Sequence, residues 1–313
     1  MSIATAETSL SPSAVHVRNQ RLGILAMVGQ TTIASLAYGF TRTAAAEFDP
    51  FVLPFLRMCG AGLIFALIFF WRGGLQGRAH TLRDWLKFSL LGLLGISINQ
   101  AAYMIGLKYT TSANGAVLYA MTPLIVLLFS VWFLRIEQFS VGKVAGIAIA
   151  LVGVSLVLFA RGVSTDDALM RGNLIMLCGV CSWSLYIALS KKWLQGYDPI
   201  QATALIMMLG TVMYAPVGLW RIGDFDPSRI SLKAWIAFAY VTLFMSVVMY
   251  VLLTFALSKI ESSQVSIFMN AQPVGAALFG VLFFGESLTW NVVIGGALTI
   301  AGIYTMQRAQ LGR

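Results

Sequence analysis

Two stretches of this chain, TSANGAVLYAMTPLIVLLF at residues 111–129 and ESSQVSIFMNAQPVGAALF at residues 261–279, decide its fold when laid over each other. They place Pro123 on Pro273, 150 positions apart. Downstream, Glu137 leads to Gly146 and Gly153 at spacings of nine and sixteen, and Glu286 leads to Gly295 and Gly302 at the same spacings. Upstream, at one residue less of offset, Asp49–Pro50 pairs with Asp198–Pro199. Agreement at so many separated points identifies an internal repeat.

The solvent of each repeat follows from composition. Of 313 residues 58% are hydrophobic and 11% charged, with a mean hydropathy of +0.82. Soluble domains carry roughly 25% charged residues, so the apolar surface here needs lipid as a partner. Apolar segments of spanning length fall near 21–43, 51–71, 84–106, 112–134, 141–160, 172–192, 199–220, 232–257, 263–284 and 289–307. The reading is an all-α membrane protein of ten transmembrane helices. The net charge of +9 comes with no nucleic-acid motif, and no nucleic-acid partner is expected. Its basic residues occupy the gaps between spans. With the N-terminus inside, thirteen lie on the cytoplasmic side and seven outside, Arg57 being the remaining one of 21. That asymmetry places both termini in the cytoplasm.

Five spans per repeat is an odd number, so the second copy enters the membrane inverted. Inverted repeats are a recurrent transporter architecture, with the binding site near mid-membrane between the halves. The domains are then a disordered tail over 1–18, a first repeat over 19–165, a second over 166–308 and a short tail over 309–313. The polar 1–18 segment has no basic start followed by an apolar core, so it is no signal peptide.

The stretch FFGESLTWNVVIGGALTIAGI, residues 283–303, resembles the terminal motif of the EamA family in the drug/metabolite transporter superfamily. LIMLCGVCSWSLYIALSKK, residues 174–192, is similar to that family's sixth helix. The resemblance covers the chain after residue 18 and occurs twice. It implies a ten-helix carrier of small metabolites in the cell inner membrane, with amino-acid exporters among its relatives. Two departures stand out: Ile136 where Gly usually precedes the glutamate, and Tyr38-Gly39 where the first helix often carries Trp-Gly.

Within the spans, Arg57 is the one charge that composition does not explain. It sits about 10 Å deep in the second helix at 1.5 Å per residue. Its expected roles are a structural pair, with Glu47, Asp49 or a helix-end carbonyl, or a cationic anchor for a substrate carboxylate. All twelve carboxylates fall in tails, loops or helix ends, which argues for a facilitator or exchanger over a proton-driven pump. Glu137 and Glu286 are expected to stabilise the first turns of helices five and ten.

Neutral polar and aromatic residues occupy mid-span positions on six helices: Gln30, Tyr38, Asn99, Gln100, Tyr103, Tyr119, Trp183, Tyr186, Tyr240, Ser246, Tyr250, Asn270 and Gln272, with Asn99 and Tyr103 on one face of theirs. Of these, Gln30, Tyr38, Asn99, Tyr103, Tyr119, Trp183, Tyr186, Tyr250, Asn270 and Gln272 are the candidate substrate-binding residues. Singly, such residues bond or pack helices together. As a set they predict an uncharged, aromatic-rich substrate cavity. Pro123 and Pro273 remove a backbone bond each in helices four and nine, as hinges or as static kinks.

Cys178 and Cys181 form a CxxC within an apolar run with no second ligand pair, so no metal and no cofactor is expected. Nothing in the spans offers a nucleophile–base pair or phosphate loop, which excludes a membrane enzyme. The longest loops are too short for a receptor or scaffold to signal through. The sequence therefore reads as a transporter acting by alternating access, as a monomer or weak homodimer, with amino-acid export first and export of other metabolites or amphiphilic drugs second.

Overall fold

The structure, a computed structural model, describes residues 12–71, 81–159, 169–223, 225–284 and 289–311. Helices occupy each of the ten apolar segments: α1 Pro12–Ala45, α2 Val52–Trp71, α3 Leu82–Leu107, α4 from Ser112 to Phe133, α5 Val141–Phe159, α6 Met170–Trp193, α7 Pro199–Ile222, α8 Leu232–Lys259, α9 from Ser262 to Phe284 and α10 Trp290–Leu311. Among the described residues, the first eight are each long and apolar enough to cross a membrane. Their exposed faces carry Leu63, Leu67, Phe70, Trp132, Phe133, Leu282 and many more large apolar side chains, the surface lipid covers. This is an all-α membrane protein.

α1 begins at Pro12, so residues 12–18 extend the first helix where a disordered tail was expected. Once a long apolar helix has nucleated, adding a residue costs little and propagation runs into the polar flank. Residues 1–11 lie outside the described residues, as does Glu286.

The duplicated Asp-Pro pairs have one local cause. Asp49 accepts hydrogen bonds from the amides of Phe51 (2.8 Å) and Val52 (3.2 Å), and Asp198 accepts from Ile200 and Gln201 at 3.0 Å each. Both carboxylates cap a helix whose first turn includes proline, which has no amide to satisfy there. Thr81, Thr111 and Ser231 cap α3, α4 and α8 in the same manner.

The helices that carry Pro123 and Pro273 are broken in the middle. α4 consists of Ser112–Ala120 and Thr122–Leu128, and α9 of Ser262–Met269 and Gln272–Phe284, each with its proline just after the break. The carbonyl that Pro123 leaves without an amide, Tyr119 O, accepts the Thr122 hydroxyl at 2.6 Å. α3 and α8 also match, since each contains a π-helical stretch, Leu93–Ile98 and Val241–Val248.

Packing between the halves follows the inversion. α5 and α10 cross with glycine against glycine. A Cβ on Gly146 would stand 2.7 Å from Gly302 O, and one on Gly153 would stand 2.6 Å from Gly295 O. Gly146 is the repeat-mate of Gly295 and Gly153 that of Gly302. Each glycine therefore meets the mate of the other, the pattern of a two-fold axis in the membrane plane. The α4 and α9 breaks meet on the same axis, where Asn270 Nδ2 donates to Ala120 O at 3.1 Å, across a separation of 150 residues that equals the repeat offset.

Candidate functional site

The α2–α3–α8 region gathers the charge and the aromatics. Arg57 Nη2 donates to Gln100 Oε1 at 3.1 Å, while Arg57 Nε is buried with no hydrogen-bond partner. Its charge acts on the hydroxyls of Tyr214 on α7 and Tyr250 on α8. Tyr214 is itself fully buried and its hydroxyl has no hydrogen-bond partner. The carboxylate pair expected for Arg57 is not formed. Asp49 is spent on the α2 cap and on Arg221 at 3.3 Å. Glu47 accepts the amide and hydroxyl of Ser231, both at 2.7 Å, and those bonds hold its carboxyl below the ordinary carboxylate range. Gln100 supplies only a neutral dipole, so the half-buried guanidinium keeps its buried Nε as an unused donor. A partly desolvated charge of that kind is costly unless something pairs with it.

Tyr250 connects Arg57 to the other predicted residues. Its ring lies edge-on to Trp183 at 6.0 Å, and Trp183 stacks on Tyr186 at 5.1 Å. Asn99 Nδ2 donates to the Tyr119 hydroxyl at 2.8 Å and to Gly179 O at 3.1 Å. Tyr119 in turn meets Tyr103 edge-on at 5.6 Å. The structure thus brings Asn99, Tyr103, Tyr119, Trp183 and Tyr250 into one group with Arg57. Tyr186 stands apart. It is fully buried within the main apolar core, its ring so close to Gly95 that a Cβ there would lie 2.6 Å away. It supports the Trp183 ring from beneath and is not open to a solute.

Gln30, Asn270 and Gln272 form a second group. Gln272 Nε2 donates to Gln30 Oε1 at 3.3 Å, Thr31 donates to Phe268 O at 3.3 Å and Ser35 to Gln272 O at 3.2 Å. With Asn270 on Ala120 O, these side chains satisfy the backbone around the α9 and α4 breaks. Gln30 is fully buried and its Nε2 has no hydrogen-bond partner. The Tyr38 side chain lies outside the described residues. Among the described residues no group of His, Cys, Asp and Glu could hold a metal ion.

Gln100 and Tyr214 complete the Arg57 environment; Gln100 is expected from the sequence only as one of the mid-span polar residues, and Tyr214 is not expected there at all. Gln100 is offset from the face shared by Asn99 and Tyr103, and the π-helical stretch preceding it rotates the helix. Tyr214 lies in α7, a span that shows no other mid-membrane aromatic polar group.

A small cleft of about 10 Å³ lies elsewhere, at the α6–α7 turn and the end of α8, lined by Ser190, Leu194, Tyr197, Thr254 and Ser258 among others. None of the predicted site residues lines it.

Glu137 also departs from expectation. Besides pairing with Lys143 in the first turn of α5 at 3.1 Å, it reaches across to the second repeat, where Oε1 accepts the Ser262 hydroxyl at 2.5 Å and the Ser263 amide at 3.1 Å. The loop turn that aims it there places Arg135 at φ 53°, a left-handed conformation one residue before the Ile136 position.

Ten apolar helices in two matching halves, with polar side chains turned toward the seam, form the frame of a secondary transporter. The chain belongs to the EamA-like transporter family, whose sequence profile matches residues 21–159 and again 170–307. It is a membrane transporter, not an enzyme. An uncharacterized transporter of Archaeoglobus fulgidus is 29% identical over 267 residues, covering 85% of this chain and 90% of that one. The uncharacterized transporter YyaM of Bacillus subtilis is 26% identical, covering 89% and 91%. A chloroplastic WAT1-related protein of Arabidopsis thaliana is 25% identical, covering 85% of this chain and 66% of its own. A solved structure described as "Crystal structure of protein" superposes with a TM-score of 0.75 at 21% identity, covering 93% of this chain and 98% of that one. That likeness concerns the fold alone.

Proposed function

We propose that this transporter exports small carboxylate-bearing metabolites across the cell inner membrane by alternating access, neutral and aromatic amino acids first among them. The observation that carries the reading is Arg57, a half-buried guanidinium whose buried Nε has no partner and which, among the described residues, bonds a neutral amide. A substrate carboxylate would complete it with charge-assisted bonds. Trp183, Tyr250, Tyr103 and Tyr119 would receive an apolar or aromatic side chain, and Asn99 would give orienting polarity. Gln30, Asn270 and Gln272 serve the helix breaks in this reading, and Pro123 and Pro273 act as paired hinges. The carrier works as a monomer or weak homodimer with lipid and solute as its partners.

The test is uptake of a labelled panel into proteoliposomes without an ion gradient: aromatic, aliphatic and charged amino acids, a nucleoside and a cationic dye. The reading expects saturable uptake of neutral amino acids, abolished in Arg57→Gln and weakened in Trp183→Ala. Uptake of the dye or nucleoside unaffected by Arg57→Gln would refute it.

A further inference from the structure

The cytoplasmic half of α9, Ser262–Met269, is buried on all sides from Ser262 to Phe268. Four of those seven residues are polar: Ser262, Ser263, Gln264 and Ser266. Gln264 is 2% exposed and its Nε2 has no hydrogen-bond partner. The half-helix sends Val265, Ile267 and Phe268 into the apolar core and the serines into hydrogen bonds, which leaves Gln264 as a buried polar side chain poorly suited to staying dry. Such a side chain fits a water-filled path that is shut in the state seen here.

The fastening is an ionic cluster built from both repeats. Glu137 and Lys143 each have 1% side-chain exposure and pair at 3.1 Å. Lys143 also holds Glu261, the residue preceding the half-helix, at 2.5 Å. Glu137 accepts from the Ser262 hydroxyl, from the Ser263 amide and from the Ser263 hydroxyl. Ser130 and Ser262 share a hydroxyl–hydroxyl bond of 2.8 Å. Glu261 makes no side-chain cap of its own helix, so Glu137 supplies from the first repeat a cap that the second repeat lacks.

The repeat relation turns this fastening into a statement about the cycle. At the matching outer positions the sequence has Val292 for Lys143, Gly280 for Ser130, Thr111 for Glu261 and Ala113 for Ser263. Only Glu286 and Ser112 retain the types of Glu137 and Ser262. Inverted repeats make the two closed ends near-equivalent, and here the chemistry of one end has been strengthened.

We infer that Glu137, Lys143 and Glu261 form a cytoplasmic latch on the first half of α9, with uncharged Val292 and Thr111 at the repeat-matched positions of Lys143 and Glu261, which biases the carrier toward the state closed to the cytoplasm. Opening inward means withdrawing Ser262–Met269 as a unit about the Asn270–Ala271 break, which strips Glu137 of its cap bonds and wets Gln264 and Ser266. The inference rests on the transporter fold and not on any particular solute.

The experiment is thiol accessibility in the purified full-length chain in nanodiscs, with the native cysteines replaced. Ser266→Cys reports on the shut path, and Ala204→Cys, equally buried on α7, reports on general loosening. Breaking a buried ion pair is expected to change an equilibrium by roughly 100-fold or more. Lys143→Met should therefore accelerate maleimide labelling at position 266 by about that factor and leave position 204 unchanged. Lys143→Arg, which keeps the charge, should stay within about threefold of the parent. Ser263→Ala keeps both charges and is the milder variant if Lys143→Met does not fold; it should give an increase of about fivefold. Labelling at 266 that ignores these substitutions, or that rises equally at 204, would overturn the latch.

Discussion

The α5–α10 crossing offers the most direct test of the inverted packing. Adding one methyl at Gly302 puts it 2.5 Å from both Ala150 N and Gly146 O, and at Gly146 it sits 2.7 Å from Gly302 O. These obstacles are backbone atoms, so no rotamer change relieves them and the helices must separate. Overpacking of this kind costs about 1–3 kcal/mol, against which alanine returns up to about 1 kcal/mol of helix propensity. Gly146→Ala and Gly302→Ala should each destabilise by about 1–2 kcal/mol net. Gly62→Ala meets only Thr211 Oγ1 at 3.6 Å, an ordinary contact, and should be neutral or slightly stabilising. The double variant Gly146→Ala/Gly302→Ala should cost less than the sum of its parts, because the first methyl has already spread the crossing that the second would spread. Unfolding free energies measured by denaturing-detergent titration in mixed micelles read all four. If Gly302→Ala proves as stable as Gly62→Ala, the two halves do not cross as described.

Replacing Arg57 separates structure from binding: Arg57→Lys keeps the charge but loses the fork, and should retain folding while weakening substrate affinity at least about tenfold. Affinity unchanged in the folded variant would remove the anchor from the proposal. Finally, Arg135→Gly relieves a left-handed non-glycine residue and should stabilise the protein by about 1 kcal/mol, read in the same detergent titration; no gain would mean the α4–α5 turn carries no strain.

Much of the architecture is legible in the chain because lipid imposes one simple demand, apolar length, and duplication supplies the rest. Asp49 and Asp198, Pro123 and Pro273, and the four glycines report the repeat without any structure, and each has a local physical role. What the sequence conceals is partnership across helices. Arg57 bonds Gln100, 43 positions away, and nothing in either stretch marks the pair. Asn99 and Tyr119 also have no sequence signature for their bond, although their mid-span polarity identifies both as inward-facing. Tyr186 was expected in the cavity and lies in the core, since aromaticity and mid-span position are equally compatible with both. Glu137 was assigned to its own helix end by the dipole argument, which considers only neighbours in sequence.

The residues that the repeat duplicates and those that it does not divide the labour between them. Gly146, Gly153, Gly295 and Gly302 make a symmetric crossing, and the proline breaks meet where Asn270 bonds Ala120. Symmetric parts give a molecule two shapes of similar energy, which alternating access requires. Arg57 occurs once, with Thr203, Ala204 and Met207 in the matching neighbourhood of α7, and so does the Lys143 bridge. A solute that binds Arg57 sees the same charge in either shape and gains no direction from it. Direction of bias must come from groups that differ between the two closed ends, and Glu137, Lys143 and Glu261 are such groups. Selectivity and bias are therefore separable, and a variant that shifts one without the other is expected: Arg57→Lys should leave labelling at Ser266→Cys unchanged, while Lys143→Met changes it without altering which solutes compete for transport.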